Sequence, residues 1–221
     1  MASQPNSAVA GETTVGRVSA ATMIIPIKQE LTAPLTFTMV DGLPALTYGD
    51  GPWVRPVENL LMVFEAVRVL AAARQPMGLN EVATIHFARW VIIDEGRRLL
   101  FCANYDTSLD QYLTDFMLIA NTRQAPYMDA LWGTLVDYPG AEPTAFINWG
   151  RRWEVDTTLF FPTISDVTLK DIAWLRQFRH VSSEFDRFAQ EVPADQWPPA
   201  LLAKYNELKT RANAIDLAVV M

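Results

Sequence analysis

The chain has 221 residues, 50% of them hydrophobic and 19% charged, with a formal net charge of -7 and an isoelectric point near 4.8. That length suits one large domain or two small ones, and the acidity argues against nucleic acid or an anionic membrane surface as a partner. Seven Trp and eleven Phe demand an interior, a subunit interface or a ligand pocket, and the lone Cys102 excludes an internal disulfide.

Residues 1–16 lack a basic stretch followed by an apolar one, so they read as a disordered tail rather than a secretory signal. No segment reaches the roughly 18 apolar residues of a membrane span, and a cytoplasmic protein is expected. Residues 18–28, VSAATMIIPIK, suit a first strand with Pro26 at an edge or end. Residues 29–53 mix Pro34, Pro44 and Pro52 with Gly42, Gly49 and Gly51, which predicts a long irregular connection of a kind that is often functional. Pro56 opens a helix to residue 74, with Leu60, Leu61, Phe64, Val67 and Leu70 or Ala71 on its apolar stripe. Pro76 and Gly78 stop it.

Residues 84–115, TIHFARWVIIDEGRRLLFCANYDTSLDQYLTD, read as two paired strands running into a capped helix. With Glu95 and Gly96 as the turn, Ile93 faces Arg98, Trp90 faces Phe101, Arg89 faces Cys102, Phe87 faces Asn104 and His86 faces Tyr105. One face then carries His86, Ala88, Trp90, Phe101, Ala103 and Tyr105. The other carries Phe87, Arg89, Val91, Leu100, Cys102 and Asn104, and both are apolar enough to be buried. Cys102 reads as a small buried residue within this strand.

Ser108 and Gln111 match a capping box for a helix with Leu109, Tyr112, Leu113, Phe116 and Met117 on one stripe. A short helix is expected over 127–135 and a turn at Tyr138, Pro139 and Gly140. Residues 144–155 fit either a broken helix or a twisted edge segment, and residues 157–164, TTLFFPTI, suit a further strand. Thr168 and Asp171 open a long helix to about residue 191, and a last helix covers 200–212. The order strand, helix, strand, strand, helix, strand predicts an α+β fold of the ferredoxin-like β-α-β-β-α-β type over residues 17–165. Residues 166–221 form an additional C-terminal helical extension packed on it.

The segments IHFARWVIID, LLFCANYDTSLDQYLTDF, ALWGTLVDYPG and TLFFPTISDVTLKDI resemble a group of bacterial proteins in the dimeric α+β barrel (ferredoxin-like) superfamily. The resemblance covers the middle two-thirds of the chain. It implies a homodimer and an apolar barrel cavity. By analogy it implies an enzyme acting on an aromatic or lipophilic small molecule, an oxidoreductase such as a cofactor-independent monooxygenase. Noncatalytic ligand binding or assembly, and a haem-binding peroxidase-like protein, are the alternatives. Haem would need an axial histidine on a helix, and only His180 meets that condition.

Arg89 is a cation in an apolar strand and needs a counter-charge, either from Asp115 or Glu154 or from a bound anion or carbonyl. Asn104 supplies a directional group on the same predicted face. His86 and Tyr105 are the acid/base candidates. Phe87 and Trp90 are candidate apolar contacts for the substrate, and Arg152, flanked by Trp149 and Trp153, could grip an anionic or aromatic group or lie over a tryptophan. Two histidines without cysteine partners give no metal site by spacing, and no cofactor is expected.

Overall fold

The computed structural model describes residues 13–40, 43–72, 84–123 and 125–213. The chain divides into two compact units, Met1–Asp166 and Val167–Met221. The first is α+β. Its strands are β1 (Thr13–Val15), β2 (Val18–Pro26), β3 (Leu35–Val40), β4 (Leu43–Tyr48), β5 (Ile85–Ile93) and β6 (Arg98–Asp106). Its helices are α1 (Pro56–Ala72), α2 (Leu109–Arg123), α3 (Ala125–Trp132) and α4 (Pro143–Trp153). The second unit holds α5 (Leu169–Glu191) and α6 (Pro199–Asn213).

An antiparallel sheet of order β1-β2-β6-β5 organises the first unit. Because β2 and β5 both run antiparallel to β6, they point the same way with β6 between them. Strict alternation then sorts side chains by face. Ala21, Met23 and Ile25 of β2 lie opposite Ala103, Phe101 and Leu99 of β6, and all six are buried with the helices. The other face carries Thr22 and Ile24, Leu100, Cys102 and Asn104, and Phe87, Arg89 and Val91. Its β5 members are exposed.

The tail reading of residues 1–16 fails from residue 13 onward, since Thr13–Val15 pair with Val18, Ser19 and Ala20; residues 1–12 lie outside the described residues. The connection expected over 29–53 contains the β3–β4 ribbon instead. Pro44 is accommodated because a two-stranded ribbon has a free edge on each strand. The ribbon packs on α1 through Leu35 and Leu46.

The buried stripe of α1 is Val57, Leu60, Val63, Ala66 and Leu70, whereas Leu61 is half-exposed, so the helix is rotated from the expected stripe. The α2 stripe is Leu109, Tyr112, Leu113, Phe116 and Met117, as its spacing predicts. Ser108 accepts from Gln111 N, but the Gln111 amide turns to Asp115 rather than back to the cap. The ambiguous segment 144–155 is helical over most of its length as α4. Glu142 accepts from Thr144 N and Ala145 N, and Pro143 occupies the first turn. Gly150 lets α4 approach the sheet: an added Cβ would lie 3.2 Å from Leu113 Cδ1 and 3.4 Å from Met23 Cε.

No strand forms over 157–164. The edge of β2 that a further strand would join is already occupied, by β1, by Val155 N donating to Thr22 O and by Val136 N donating to Pro26 O. Pro162 also lacks a ladder donor. Leu159 and Phe161 remain exposed.

In the second unit, Thr168 and Asp171 form the reciprocal capping box at the start of α5. Lys204 of α6 bonds Glu184 of α5 at 2.8 Å, and Arg211 bonds the same carboxylate at 3.0 Å. Between these helices lies an apolar groove of about 350 Å³ lined by Trp174, Phe178, Val181, Phe185, Tyr205 and Leu208. No helix among the described residues is long and apolar enough to cross a membrane.

The core makes a pH prediction. Burial pushes the pKa of the Tyr112 phenol well above its ordinary 10.0, and Tyr138 is raised by burial and then by its hydrogen bond to Asp129. A group whose folded pKa is raised gives stability that is complete below the unfolded pKa and is lost as pH climbs towards the folded one. Urea midpoints should therefore fall above about pH 10. A midpoint that stays flat while phenolate absorbance grows would contradict this coupling.

Candidate functional site

The turn joining β5 to β6 has left-handed backbone at Asp94, Glu95 and Gly96, with φ of 52°, 55° and 88°. Arg97 N donates to Asp94 O at 3.1 Å. A glycine suits the last of these positions twice over: its φ disfavours other residues, and a Cβ there would sit 3.3 Å from Val57. This turn fixes the register. Ile93 faces Arg98, Trp90 faces Phe101, Arg89 faces Cys102 and Phe87 faces Asn104, all as the sequence predicts.

The last expected pair differs. Ile85, not His86, faces Tyr105, and the register shifts between Ile85 and Phe87. His86 is thus the extra residue of a β-bulge, a device that re-aims a side chain. Its Nε2 lies 2.7 Å from Asp106 Oδ1, with the two side chains only 15% and 8% exposed. Asp106 alternates with Tyr105 and so belongs to the face of Asn104 and Cys102, away from the helices. The bulge therefore carries His86 from the core face, where unbroken alternation would put it, to the open one.

Tyr105 stays in the core. It is fully buried and stacks on Tyr112 with ring centroids 4.4 Å apart, so the expected His86–Tyr105 pairing is replaced by His86–Asp106. Trp90 also faces the helices, 5.2 Å from Phe101 and 6.4 Å from Phe64, and packs against the core instead of lining the open face. Arg152 belongs to α4: it bonds Asp137 at 3.0 Å and its guanidinium lies 5.1 Å from the Trp153 ring centroid. That is a surface pair of the kind that contributes little.

Phe87, Arg89 and Asn104 do meet on the open face. Phe87 is 65% exposed, and Asn104 is half-buried between Phe87 and Ala20 in the register. Arg89 is exposed and forms no ion pair among the described residues; the expected Asp115 instead accepts from Gln111 at 2.7 Å. Five polar or ionisable side chains, His86, Arg89, Cys102, Asn104 and Asp106, thus share one sheet face with Phe87, Val91 and Leu100. No family model, curated protein or solved structure matches the chain. The site therefore rests on its own geometry.

Space is distributed unevenly around the sheet. On the helix side, the interstice lined by Met23, Phe101, Tyr112, Trp132 and Phe146 has no room for a water-sized guest. A wide recess of about 820 Å³ opens at the hairpin end between Lys28, Glu30, Glu95 and Arg97, away from every candidate residue named from the sequence. His180 is exposed on α5 and does not line the groove of that unit, so the residues around it do not fit a haem. No group of three metal-ligating side chains occurs among the described residues.

Asp106 is the residue that sequence reasoning missed. It ends the strand three residues before the helix and reads locally as part of the connection. No pattern signal joins the two, because in the predicted register His86 faces Tyr105 on one side of the sheet while Asp106 alternates to the other.

Proposed function

We propose that this chain is a small-molecule protein of the dimeric α+β barrel kind, binding an aromatic or lipophilic ligand on the open face of its sheet. The order β2, α1, β5, β6, α2, with β6 between two strands of the same direction, supports the ferredoxin-like part of this reading. A second copy of the chain closes the barrel, and Phe87, Val91 and Leu100 supply its apolar wall.

One observation carries the proposal. Arg89 stands exposed and without an ion pair among the described residues, on a sheet face that it shares with Phe87, Val91 and Leu100, while the helix side is filled. A guanidinium in that setting presents a planar fork to a carboxylate or carbonyl oxygen, and Asn104 offers a second directional group. The resemblance adds metal-free oxidation as the reaction class, by analogy of fold.

Titration with 2-naphthoate tests the reading. The wild-type protein should bind it, and Arg89→Ala should weaken binding by at least about tenfold, the usual worth of a charge-assisted hydrogen bond. Sedimentation equilibrium should give a dimer that Phe87→Lys converts to monomer. Equal affinity in wild type and Arg89→Ala, or a wild-type monomer at all concentrations, would overturn it.

A further inference from the structure

The geometry points to His86 as a general base on the open face and to Asp106 as the residue that positions it. The inference rests on the binding reading above and deepens it to a substrate class: an aromatic ketone with an acidic C–H beside its carbonyl.

The tautomer follows from the hydrogen bond. A carboxylate only accepts, so the Nε2 that lies 2.7 Å from Asp106 Oδ1 carries the proton. In the neutral ring Nδ1 is then the bare, basic nitrogen, and it makes no hydrogen bond among the described residues. Asp106 is itself held, since its backbone N donates to Thr84 O at 2.8 Å. An enclosed carboxylate that fixes the tautomer and stabilises the imidazolium formed on proton uptake is the logic of an orienting acid behind a histidine base.

The chemistry follows from the neighbours. Arg89 lies three residues along the same strand, roughly 10 Å of extended backbone, and its long side chain reaches back so that one ligand places a carbonyl oxygen on the guanidinium and the neighbouring C–H on His86 Nδ1. With the carbonyl oxygen on Arg89, the adjacent C–H bond breaks and its proton passes to His86 Nδ1. The electron pair moves into the enolate, whose oxygen Arg89 receives. Return of the proton from His86 closes the cycle, so the step balances without an oxidant or a second reactant. The bulge is what makes it possible: without the extra residue His86 would face the core beside Tyr105.

Deuterium uptake at C1 of 2-tetralone, followed by NMR in D₂O, tests the inference on the full chain. The wild type should accelerate exchange about 100-fold over buffer, within the usual range of general base catalysis, and His86→Gln should return it to the buffer rate. Asp106→Asn should lower kcat at least tenfold with KM within twofold. In ¹⁵N-histidine spectra, it should also replace the Nε2–H tautomer with a mixture. If 2-naphthoate binds through Arg89 but exchange runs at the buffer rate, or if His86→Gln keeps the acceleration, the base assignment is overturned while the binding reading stands. If Asp106→Asn changes neither kcat nor the tautomer, the positioning role is overturned. Loss of both binding and exchange in the folded wild type would remove the reading and the inference together.

Discussion

Trp132→Ala should destabilise the first unit by about 3–5 kcal/mol, the range for removing a buried Trp or Phe side chain. Trp132 is 2% exposed and sits where three elements meet. Its ring lies 5.5 Å from Phe101 of β6, 6.1 Å from Phe116 of α2, and 5.7 and 5.8 Å from Phe146 and Trp149 of α4. All four contacts are close to perpendicular, the edge-to-face geometry that aromatic quadrupoles favour. Because the surrounding interstice has no water-sized space, the alanine variant would open a new cavity rather than enlarge an old one. Such a loss is a large share of a typical domain stability of about 5–15 kcal/mol.

Trp132→Phe should cost much less. The indole Nε1 is buried without a hydrogen-bond partner among the described residues, so the replacement removes an unsatisfied donor while keeping most of the ring contacts. Urea unfolding followed by circular dichroism would check both variants: the midpoint should fall with an unchanged slope. An alanine variant within about 1 kcal/mol of wild type would mean that the cluster collapses around the gap and that its close packing contributes little.

The legible and illegible parts of this chain differ in what enforces them. The α2 stripe could be read from spacing because helix geometry alone puts Leu109, Tyr112, Leu113, Phe116 and Met117 on one side. The hairpin register could be read because a one-residue slip would exchange the two faces of both strands. His86 escaped that logic. A bulge inserts one residue without any compositional mark, and every side chain on the far side of it changes face relative to simple alternation. The candidate site is therefore only partly written in the pattern: Phe87, Arg89 and Asn104 follow from alternation, whereas His86 and Asp106 come together through a local irregularity.

The β3–β4 ribbon was hidden for a different reason. Its prolines and glycines argue against a central strand, but not against a ribbon with two free edges. The converse holds for residues 157–164, whose β-branched and aromatic residues suit a strand that has no edge left to join beside β2. Strand propensity describes fit to a half-buried pleated surface, and the rest of the chain must supply that surface.

The ribbon's attachment to α1 yields the second large effect. Asn59 is 2% exposed, and its side chain satisfies two backbone groups at the entry to β3: Oδ1 accepts from Leu35 N at 2.7 Å, and Nδ2 donates to Ala33 O at 2.8 Å. Nothing in a helix pattern identifies such a residue, since a polar side chain on the buried side of α1 reads as a break in the stripe. Asn59→Leu keeps the branched shape but is larger, and it strands a buried donor and acceptor at a cost of about 1–3 kcal/mol each, so a loss of roughly 2–6 kcal/mol is expected. The damage should begin locally: amide exchange at Leu35 should accelerate along with the β3–β4 ribbon, while amides in β2 and β6 stay protected to a higher free energy. Uniform loss of protection across the first unit would instead make the ribbon part of one cooperative structure with the main sheet. Unchanged protection at Leu35 would show that the Asn59 bridge does not hold the ribbon in place.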